Sequence, residues 1–360
     1  MKIDLLVDFE AFWSSLAADL SVASDRVLVQ TFSFEGDRVG RLLADALIES
    51  PARDKRILVD SISRVVLSDQ CLYTPRNWFN EDLAAERAAT RDLHAGLNYS
   101  GVQIKYGNHF GASPRRLLTR NHKKLIVIDN RIAYIGGINF SEHNAAWHDM
   151  MLRIEDPAIT EFFREDFRGC WSGKSISRSQ EFPGAQMHTL DGHANRGVFK
   201  HVLALIERAQ SSIFISSPYI SFPFYDYLKE ARNRGVIITM LTPRMNNWRY
   251  FSDYARWESA RCGLNLRFYT KGMSHLKAML IDDRELIVGS SNFDYLSYRV
   301  YEEIVAIISE PQLIADFRRQ VMVPDLRDSE PAEEEVASRQ SVWSSWRLKL
   351  FNKGLTLLLE

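Results

Sequence analysis

Residues 119–140 read TRNHKKLIVIDNRIAYIGGINF, and residues 272–293 read GMSHLKAMLIDDRELIVGSSNF. The two stretches align without a gap, and each shared position recurs 153 residues later. Internal repetition of this kind indicates a duplicated structural unit. The shared residues are His122, Lys124, Asp129, Gly136 and Asn139 in the first copy and His275, Lys277, Asp282, Gly289 and Asn292 in the second.

The similarity extends on both sides of the two motifs. RVLVQTFSF, from Arg26, resembles SIFISSPYI, from Ser212, and each lies between two helix-like stretches. Within the motifs, LIVI and AMLI have the apolar, β-forming composition of buried strands. Strands that alternate with helices of this length are typical of α/β units, so the sequence predicts an α/β fold built twice.

The composition along the chain divides it into four predicted parts. The two halves, each with one motif, occupy residues 1–175 and 198–324. Residues 176–197 are rich in Ser, Gly and polar residues, which predicts a linker. Residues 325–360 begin with an acidic, Pro-interrupted stretch that predicts a flexible tether, followed by an amphipathic helix.

The predicted C-terminal helix combines aromatic, aliphatic and basic residues. Two interpretations remain: the helix docks on the protein's own surface, or it lies in a membrane interface. The residues at helical spacing and the basic residues among them are Trp343, Trp346, Leu350 and Phe351, with Arg347, Lys349 and Lys353.

The overall composition is that of an ordinary globular protein of 360 residues, with 46% hydrophobic and 25% charged residues. Its 45 basic and 46 acidic residues nearly cancel, which argues against a protein that coats nucleic acid. Cys71, Cys170 and Cys262 are far apart and show no metal-ligand spacing, which predicts a reducing compartment without a disulfide framework.

The histidine and lysine of each motif form a pair suited to phosphate chemistry. Because side chains alternate along a strand, His122 and Lys124 share a face, as do His275 and Lys277. Lysine binds phosphate oxygens as a point charge, and histidine acts as a nucleophile or as an acid and base near neutral pH. We expect one histidine to attack phosphorus and form a phosphohistidine, while the other protonates the departing oxygen.

The other motif residues have predicted supporting roles. The side-chain amides of Asn139 and Asn292 can donate to the same phosphate oxygens. The aspartates point away from the histidines if the strand continues, and the glycines permit a tight turn. These predicted structural positions are Asp129, Asp282, Gly136 and Gly289.

An attacking histidine must be held in one tautomer, which a carboxylate on its other nitrogen can do. Asp149 follows Asn139 by ten residues and heads an apolar stretch. Glu302 and Glu303 stand in the corresponding place after Asn292. We therefore predict that Asp149 and one of the glutamates orient the histidines, the glutamate serving the second.

A basic run lies beside the first motif, and it allows two interpretations. It is either a solvated loop or a surface that draws an anionic lipid or a nucleic-acid backbone towards the site. Its members are Arg115, Arg116, Arg120, Lys123 and Lys124.

Both motifs resemble the duplicated HKD signatures of the phospholipase D superfamily, and IAYIGGINFSEH with WHD downstream is similar to bacterial cardiolipin synthases. The resemblance covers about residues 20–325. It implies two pseudo-symmetric α/β halves, each a mixed sheet flanked by helices, that share one active site. It also implies a phosphohistidine intermediate and no metal or other cofactor.

The second copy continues as NFDYLSYRVYEE and departs from the family pattern at two positions. Glu303 takes the place of the family's glutamate, which favours it over Glu302. Leu296 replaces an arginine and Tyr301 replaces an asparagine, changes that bear on the acceptor or headgroup more than on the chemistry. The positions that fit the family are Asn292, Asp294 and Ser297.

The resemblance implies a cardiolipin synthase-like phosphatidyltransferase. Such an enzyme moves a phosphatidyl group from phosphatidylglycerol, or a related phospholipid, to the hydroxyl of a second phosphatidylglycerol. We assign His122 as the nucleophile, as is common in the family, and His275 as the acid and base. The residues themselves leave this order open.

Three other functions compete with this prediction. Water as the acceptor would make the protein a phospholipase D that releases phosphatidic acid. A nuclease of the superfamily is disfavoured by the balanced charge and by the lack of an extended basic, aromatic-laced surface. Two intact motifs argue against a non-catalytic lipid-binding protein.

The location and partners are predicted from the same features. The opening MKIDLLVDFEAFWSSL has acidic interruptions unlike a signal peptide, and no apolar run reaches the roughly 20 residues that span a bilayer. We expect a cytoplasmic protein that associates peripherally with the inner membrane and binds an anionic phospholipid. Nucleic acid is disfavoured as a partner, and the oligomeric state is left open.

Overall fold

Two mixed β-sheets organise residues 1–111 and 118–332, which a computed structural model of the protein describes. The strands of the first half are β1 (Lys2–Val7), β2 (Arg26–Thr31), β3 (Asp54–Asp60), β4 (Val66–Leu67), β5 (Gln70–Cys71), β6 (Gln103–Gly107), β7 (Leu125–Ile128), β8 (Ile132–Gly136) and β9 (Met150–Glu155). The strands of the second half are β10 (Arg178–Phe182), β11 (Ala185–Thr189), β12 (Ser212–Ser216), β13 (Ile237–Pro243), β14 (Asn265–Tyr269), β15 (Ala278–Ile281), β16 (Glu285–Gly289), β17 (Ile304–Ile308) and β18 (Ser329–Pro331).

Helices cover both sheets. A 3₁₀-helical turn spans Ser61–Arg64, and a π-helical turn spans Arg318–Met322. The α-helices are α1 (Asp8–Ser21), α2 (Arg38–Glu49), α3 (Glu81–Tyr99), α4 (Glu142–Ala145), α5 (Pro157–Trp171), α6 (Asn195–Arg208), α7 (Phe224–Asn233), α8 (Arg249–Cys262), α9 (Tyr295–Arg299), α10 (Pro311–Phe317) and α11 (Val323–Arg327).

The two sheets repeat one strand order. The first runs β1-β9-β8-β7-β2-β3-β6, and the second contains the matching series β11-β17-β16-β15-β12-β13-β14. The motif strand of each half pairs antiparallel with an earlier strand of that half: β7 pairs with β2, and β15 pairs with β12. That earlier strand pairs in parallel with the next, β3 or β13. The predicted duplicated α/β fold is confirmed.

The closing helix of each half begins at an acidic residue followed by proline. Asp156 caps α5 by accepting hydrogen bonds from two backbone N–H groups, and Glu310 caps α10 through the backbone N–H of Leu313. Proline suits the first helical position because its missing N–H has no helical partner there. The sequences DPAITEFF and EPQLIADF thus begin helices at equivalent points of the repeat.

The segment predicted to be a linker, residues 176–197, is instead part of the second sheet. It contains β10 and β11, and β11 pairs antiparallel with β17, as β1 pairs with β9. Each added strand covers a sheet edge that would otherwise leave backbone groups unpaired. The polar composition misled the prediction because β10 is an edge strand with exposed side chains.

The start of the predicted tether is also ordered. Residues 323–327 form α11, and β18 then pairs antiparallel with β14. The guanidinium of Arg267 donates to the carbonyl oxygen of Ser329 at 2.8 Å, which ties this segment to the second sheet. The predicted C-terminal helix, with Trp343 and Trp346, lies outside the described residues.

Alternating side chains of the motif strands enter different cores. Leu125 and Val127 join Leu280 in a core that both sheets share with α5 and α10. Ile126 packs instead against the outer helices of the first half, and Met279 against those of the second. Since one face of β7 and one face of β15 pack in the core that both sheets share, the residues directly before these strands lie between the two halves.

Within the described residues, no helix is long and apolar enough to cross a bilayer. The same residues contain no group of three or more His, Cys, Asp or Glu side chains arranged to hold a metal ion. All three cysteines fall in the described part of the chain and are unbridged: Cys71 is exposed, and Cys170 and Cys262 are buried.

Candidate active site

Both motif histidines line one cavity of 740 Å³ between the halves. His122 Nδ1 lies 3.0 Å from Glu303 Oε1, and His275 Nδ1 lies 2.7 Å from Asp149 Oδ2. A carboxylate acceptor keeps the proton on Nδ1, which leaves Nε2 of each neutral imidazole with a free lone pair. Each half therefore supplies one histidine and the carboxylate that orients the histidine of the other half.

The crossed pairing differs from the expected one, in which the glutamate serves the second histidine. The reason is a pair of matching backbone contacts between the halves. The His122 N–H donates to the carbonyl oxygen of Glu302 at 2.9 Å, and the His275 N–H donates to that of His148 at 2.7 Å. Each motif histidine thus lies beside the residue that directly precedes a carboxylate of the other half. Glu303 follows Glu302, and Asp149 follows His148.

Glu303, and not Glu302, contacts a motif histidine through its carboxylate. Neighbouring side chains on an extended segment point in opposite directions. Glu302 lines a separate cavity of 570 Å³ and accepts a hydrogen bond from Asn108 at 2.9 Å. The Glu303 carboxylate is fully buried and accepts hydrogen bonds from the hydroxyls of Ser290 and Ser297.

The repeat supports the two carboxylates by different means. Gly137 lies where a Cβ atom would approach Asp149 Oδ1 to 2.3 Å, so the absence of a side chain there makes room for the carboxylate. The equivalent residue 153 positions later is Ser290, which donates to Glu303. The variable position of the motif, glycine in one copy and serine in the other, therefore faces the orienting carboxylate in both.

The two motif lysines are fully buried beside the histidines. Lys124 Nζ donates to the His122 carbonyl oxygen at 2.8 Å, and Lys277 Nζ donates to the His275 carbonyl oxygen at 2.6 Å. Burial lowers the pKa of Lys124 to about 7 and that of Lys277 to about 8. A bound phosphate anion would stabilise the charged form of both ammonium groups.

Burial and neighbouring charges set the protonation of the histidine–carboxylate pairs. Burial lowers the pKa of both histidines, helped by the nearby lysines, and brings that of His275 to about 3. Asp149 is also buried, but Lys277 and His275 outweigh this and hold its pKa below the ordinary value. Burial raises the pKa of Glu303 to about 8. Asp149 is therefore an ionised carboxylate beside a neutral imidazole.

The predicted phosphate-binding amides reach the same cavity. Asn139 and Asn292 both line it, and within the described residues the buried Oδ1 atom of Asn292 has no hydrogen-bond partner. Asp294, from the family pattern, also lines the cavity and caps α9 through the Ser297 N–H at 2.9 Å. Burial raises the pKa of Asp294 to about 6.

The motif aspartates lie away from the histidines, whereas the motif glycines lie beside Asp149 and Lys277. Asp129 accepts from the backbone N–H groups of residues 24–26, and Asp282 accepts from those of residues 210–212. Each aspartate follows the end of its strand with φ of 53°, so the expected continuation of the strand does not occur. A Cβ atom at Gly136 or Gly289 would approach a carbonyl oxygen of the adjacent strand to 2.3 or 2.1 Å.

The described members of the basic run fit neither sequence interpretation. Arg120 forms an ion pair with Asp60 at 3.2 Å, and Lys123 forms one with Asp166 at 2.7 Å. All four side chains are buried, and so is Lys124, which bonds the His122 carbonyl oxygen. They are neither a solvated loop nor an exposed anion-attracting surface; Arg115 and Arg116 lie outside the described residues.

Sequence reasoning did not identify most of the cavity wall. These residues lie far apart in the chain and carry no shared spacing, so even those inside the quoted repeat and family stretches, such as Phe32, His143 and Trp147, were not singled out. Among them are Phe32, Glu35, Asp69, His143, Trp147, Tyr219, Asn247, Trp248 and Tyr250.

The sequence profile of the family described as "Cardiolipin synthase, PLD-like domain" matches residues 16–171 and 202–322. The chain belongs to this family. It is 26% identical to cardiolipin synthase B of Escherichia coli K12 over 376 aligned positions, which cover 95% of this chain and 85% of that protein. It is 24% identical to cardiolipin synthase 1 of Staphylococcus epidermidis ATCC 12228, covering 100% of this chain and 74% of that protein.

The PLD-like fold of the family is also seen in a solved structure. The crystal structure of phosphatidylserine synthase from Haemophilus influenzae superposes with a TM-score of 0.72 at 15% identity, covering 99% of this chain and 95% of that chain. The two halves of the chain, each with one motif, thus share their fold with that structure.

Proposed function

We propose that this protein is a phosphatidyltransferase of the cardiolipin synthase type. It transfers a phosphatidyl group from phosphatidylglycerol, or a related phospholipid, to the hydroxyl of a second phosphatidylglycerol. The observation that carries the proposal is the pair of crossed histidine–carboxylate contacts, at 3.0 and 2.7 Å, in one cavity that also holds both motif asparagines. Membership of the family and its cardiolipin synthase relatives support the choice of lipid substrates.

In this proposal His122 is the nucleophile and His275 is the acid and base. The ionised Asp149 stabilises the imidazolium that His275 becomes when it holds two protons. In the substrate-free site Lys277 helps to keep His275 neutral. A phosphodiester anion bound beside Lys124 and Lys277 offsets their charge and favours protonation of His275.

The reaction has two balanced steps. The Nε2 lone pair of His122 forms an N–P bond, the P–O bond to glycerol breaks, and the Nε2 proton of His275 passes to the departing oxygen. An acceptor hydroxyl then gives its proton to His275 Nε2 and attacks phosphorus, and the N–P bond breaks. Water in the acceptor's place would release phosphatidic acid instead.

Peripheral contact with a membrane surface is part of the proposal. Trp248 and Tyr250 line the cavity, and 49% and 41% of their surfaces are exposed, so they lie where the cavity opens. Tryptophan and tyrosine suit the boundary between water and lipid because each has an apolar body and a polar tip. A lipid headgroup could enter the cavity from a membrane at this opening.

The test is to incubate the pure protein with phosphatidylglycerol vesicles and to quantify lipids and glycerol by mass spectrometry. We expect cardiolipin and free glycerol in equal amounts, and neither with His122→Ala or His275→Ala. Phosphatidic acid without cardiolipin would identify a phospholipase D. Cleavage of single-stranded DNA with no lipid product would identify a nuclease. Activity lost with a chelator and restored by a divalent ion would reject the metal-free route.

A further inference from the structure

A second polar group of the cavity lies beyond His275. His143 Nε2 lies 3.8 Å from Asp69 Oδ1, and His143 Nδ1 lies 3.6 Å from Glu35 Oε2. Asp69 sits in the turn between β4 and β5, and its other oxygen accepts from the Asn247 amide of the second half at 3.1 Å. All four side chains line the cavity.

The His143 imidazole is a protonated donor in this group. Burial opposes protonation, but Asp69 and Glu35 outweigh it and raise the pKa of His143 to about 10. Glu35 is 2% exposed, and within the described residues its Oε2 atom has no hydrogen-bond partner, so it acts as the buried counter-ion behind the ring. Nε2–H remains directed towards Asp69.

One oxygen atom of a ligand, placed to the side of the line from His143 to Asp69, can lie about 2.8 Å from both groups. Their separation of 3.8 Å exceeds a hydrogen bond, and the side chain of Asp69 is 41% exposed. One hydroxyl can accept from His143 Nε2–H and donate to Asp69 Oδ1. An ammonium group would meet the charged imidazolium, and a carboxylate would meet Asp69 and Glu35.

From this geometry we propose that Asp69 and His143 bind a hydroxyl of the headgroup alcohol and thereby select polyol headgroups over amine-bearing or carboxylate-bearing ones. The inference rests on the proposed phosphatidyl transfer and names the alcohol that its site accepts. It adds two binding residues that the HKD motifs do not contain.

The subsite formed by Asp69 and His143 lies on the side of His275 where the headgroup alcohol leaves and enters. The ring of Trp147 lies 5.5 Å from that of His143 and 5.0 Å from that of His275, centroid to centroid, and so separates the subsite from the proposed acid and base. The leaving alcohol departs opposite the attacking nitrogen, and the acceptor alcohol must enter along the same line. One subsite beside His275 therefore holds both alcohols in turn.

The experiment compares phosphatidylglycerol with phosphatidylpropanol, which has the same chain length but no headgroup hydroxyl, and with phosphatidylethanolamine. Turnover of bis(4-nitrophenyl) phosphate provides the reference rate for the histidine chemistry. The variants are Asp69→Ala and His143→Gln, each checked for a folded structure by thermal unfolding. Gln70→Ala is the matched control, because Gln70 is the exposed neighbour of Asp69 in the same hairpin and does not line the cavity.

We expect the wild-type protein to prefer phosphatidylglycerol over phosphatidylpropanol by roughly a hundredfold in kcat/KM. The headgroup hydroxyl makes two charge-assisted hydrogen bonds, and losing each one lowers kcat/KM by about tenfold. Either variant should lower this preference by about tenfold and raise the share of phosphatidic acid among the products. Gln70→Ala should keep the wild-type preference. A purely structural effect would instead lower all rates, including the aryl diester rate, in parallel.

Two results would overturn the subsite alone: equal wild-type turnover of phosphatidylglycerol and phosphatidylpropanol, or a preference for phosphatidylethanolamine that Asp69→Ala removes. A protein that hydrolyses the aryl diester but forms no product from phosphatidylglycerol would reject the proposed function, and the subsite with it. The two kinds of failure are therefore distinct.

Discussion

The imidazole of His275 donates its Nδ1–H to Asp149 across 126 residues of chain, at 2.7 Å. The reciprocal contact joins His122 to Glu303 across 181 residues. Neither half contains a complete histidine–carboxylate pair, so the reacting centre exists only when the two halves are docked. This dependence makes the carboxylates sensitive probes of the proposed mechanism.

Replacing either orienting carboxyl group should impair catalysis without unfolding the protein. We expect Asp149→Asn and Glu303→Gln each to lower kcat about a hundredfold or more, because the amide no longer fixes the tautomer or stabilises the imidazolium. Cardiolipin formation is the measurement. Glu302→Gln is the control, since Glu302 faces the other cavity; an equal loss there would argue against specific orientation.

Variants of the two histidines should differ in whether a covalent phosphatidyl-enzyme accumulates. With phosphatidylglycerol labelled in its phosphate, His275→Ala should accumulate or slowly turn over a covalent phosphatidyl-enzyme, and His122→Ala should form none. Intact-protein mass and acid lability of the label identify a phosphohistidine. The reverse pattern would exchange the two assigned roles.

Gly137 is predicted to be indispensable because its missing side chain accommodates Asp149. A Cβ atom there would lie 2.3 Å from Oδ1, so Gly137→Ala must displace the carboxylate and should lower kcat about as much as Asp149→Asn. Gly197, in α6, has no atom within 4 Å of an added Cβ. Gly197→Ala should leave activity intact and stabilise the helix by about 1 kcal/mol; a fully active Gly137→Ala protein would contradict the packing argument.

Anion binding should weaken as the pH rises. Burial brings the pKa of Lys124 to about 7 and that of Lys277 to about 8, so the substrate-free site loses positive charge through this range. Dimethyl phosphate, whose charge is constant there, is the probe for calorimetry. We expect its affinity to fall between about pH 6 and pH 9, and proton uptake on binding near pH 8. Affinity independent of pH would show that the lysines stay charged.

Stability should also decline at alkaline pH, through His148. This ring lies 2.7 Å from Asp8 and 3.1 Å from Asp325, and stacks on Tyr269. Burial opposes its charge, but the two carboxylates raise the pKa of His148 to about 10. A raised folded-state pKa stabilises the fold below the unfolded value of about 6.5, and this contribution disappears as the pH rises through 10.

The measurement for His148 is the free energy of unfolding in urea at about pH 6 and about pH 9. His148→Gln should lower it more at the acidic value and flatten the decline between the two. His143 contributes a parallel decline that the variant leaves in place. An unchanged slope in His148→Gln would show that the ion pairs do not stabilise the fold.

Several parts of the site were predictable from the sequence because they depend on local geometry. The shared face of His122 and Lys124 follows from the alternation of side chains, and the buried strands follow from LIVI and AMLI. A structural role for Asp129 was predictable from the sequence, but its hydrogen bonds to backbone N–H groups were not. The orientation of Glu303 towards His122 was not predictable, since it depends on contacts between segments far apart in the chain.

The amino-acid sequence alone specified the duplication, the α/β alternation and the residues able to act on a phosphodiester, because repeats and periodicity are local properties of the chain. Docking of the two sheets over their shared core specified which carboxylate meets which histidine. It also brought Asn247 of the second half near Asp69 of the first. Such contacts depend on how buried apolar faces fit together in three dimensions, and that fit leaves no fixed spacing in the sequence.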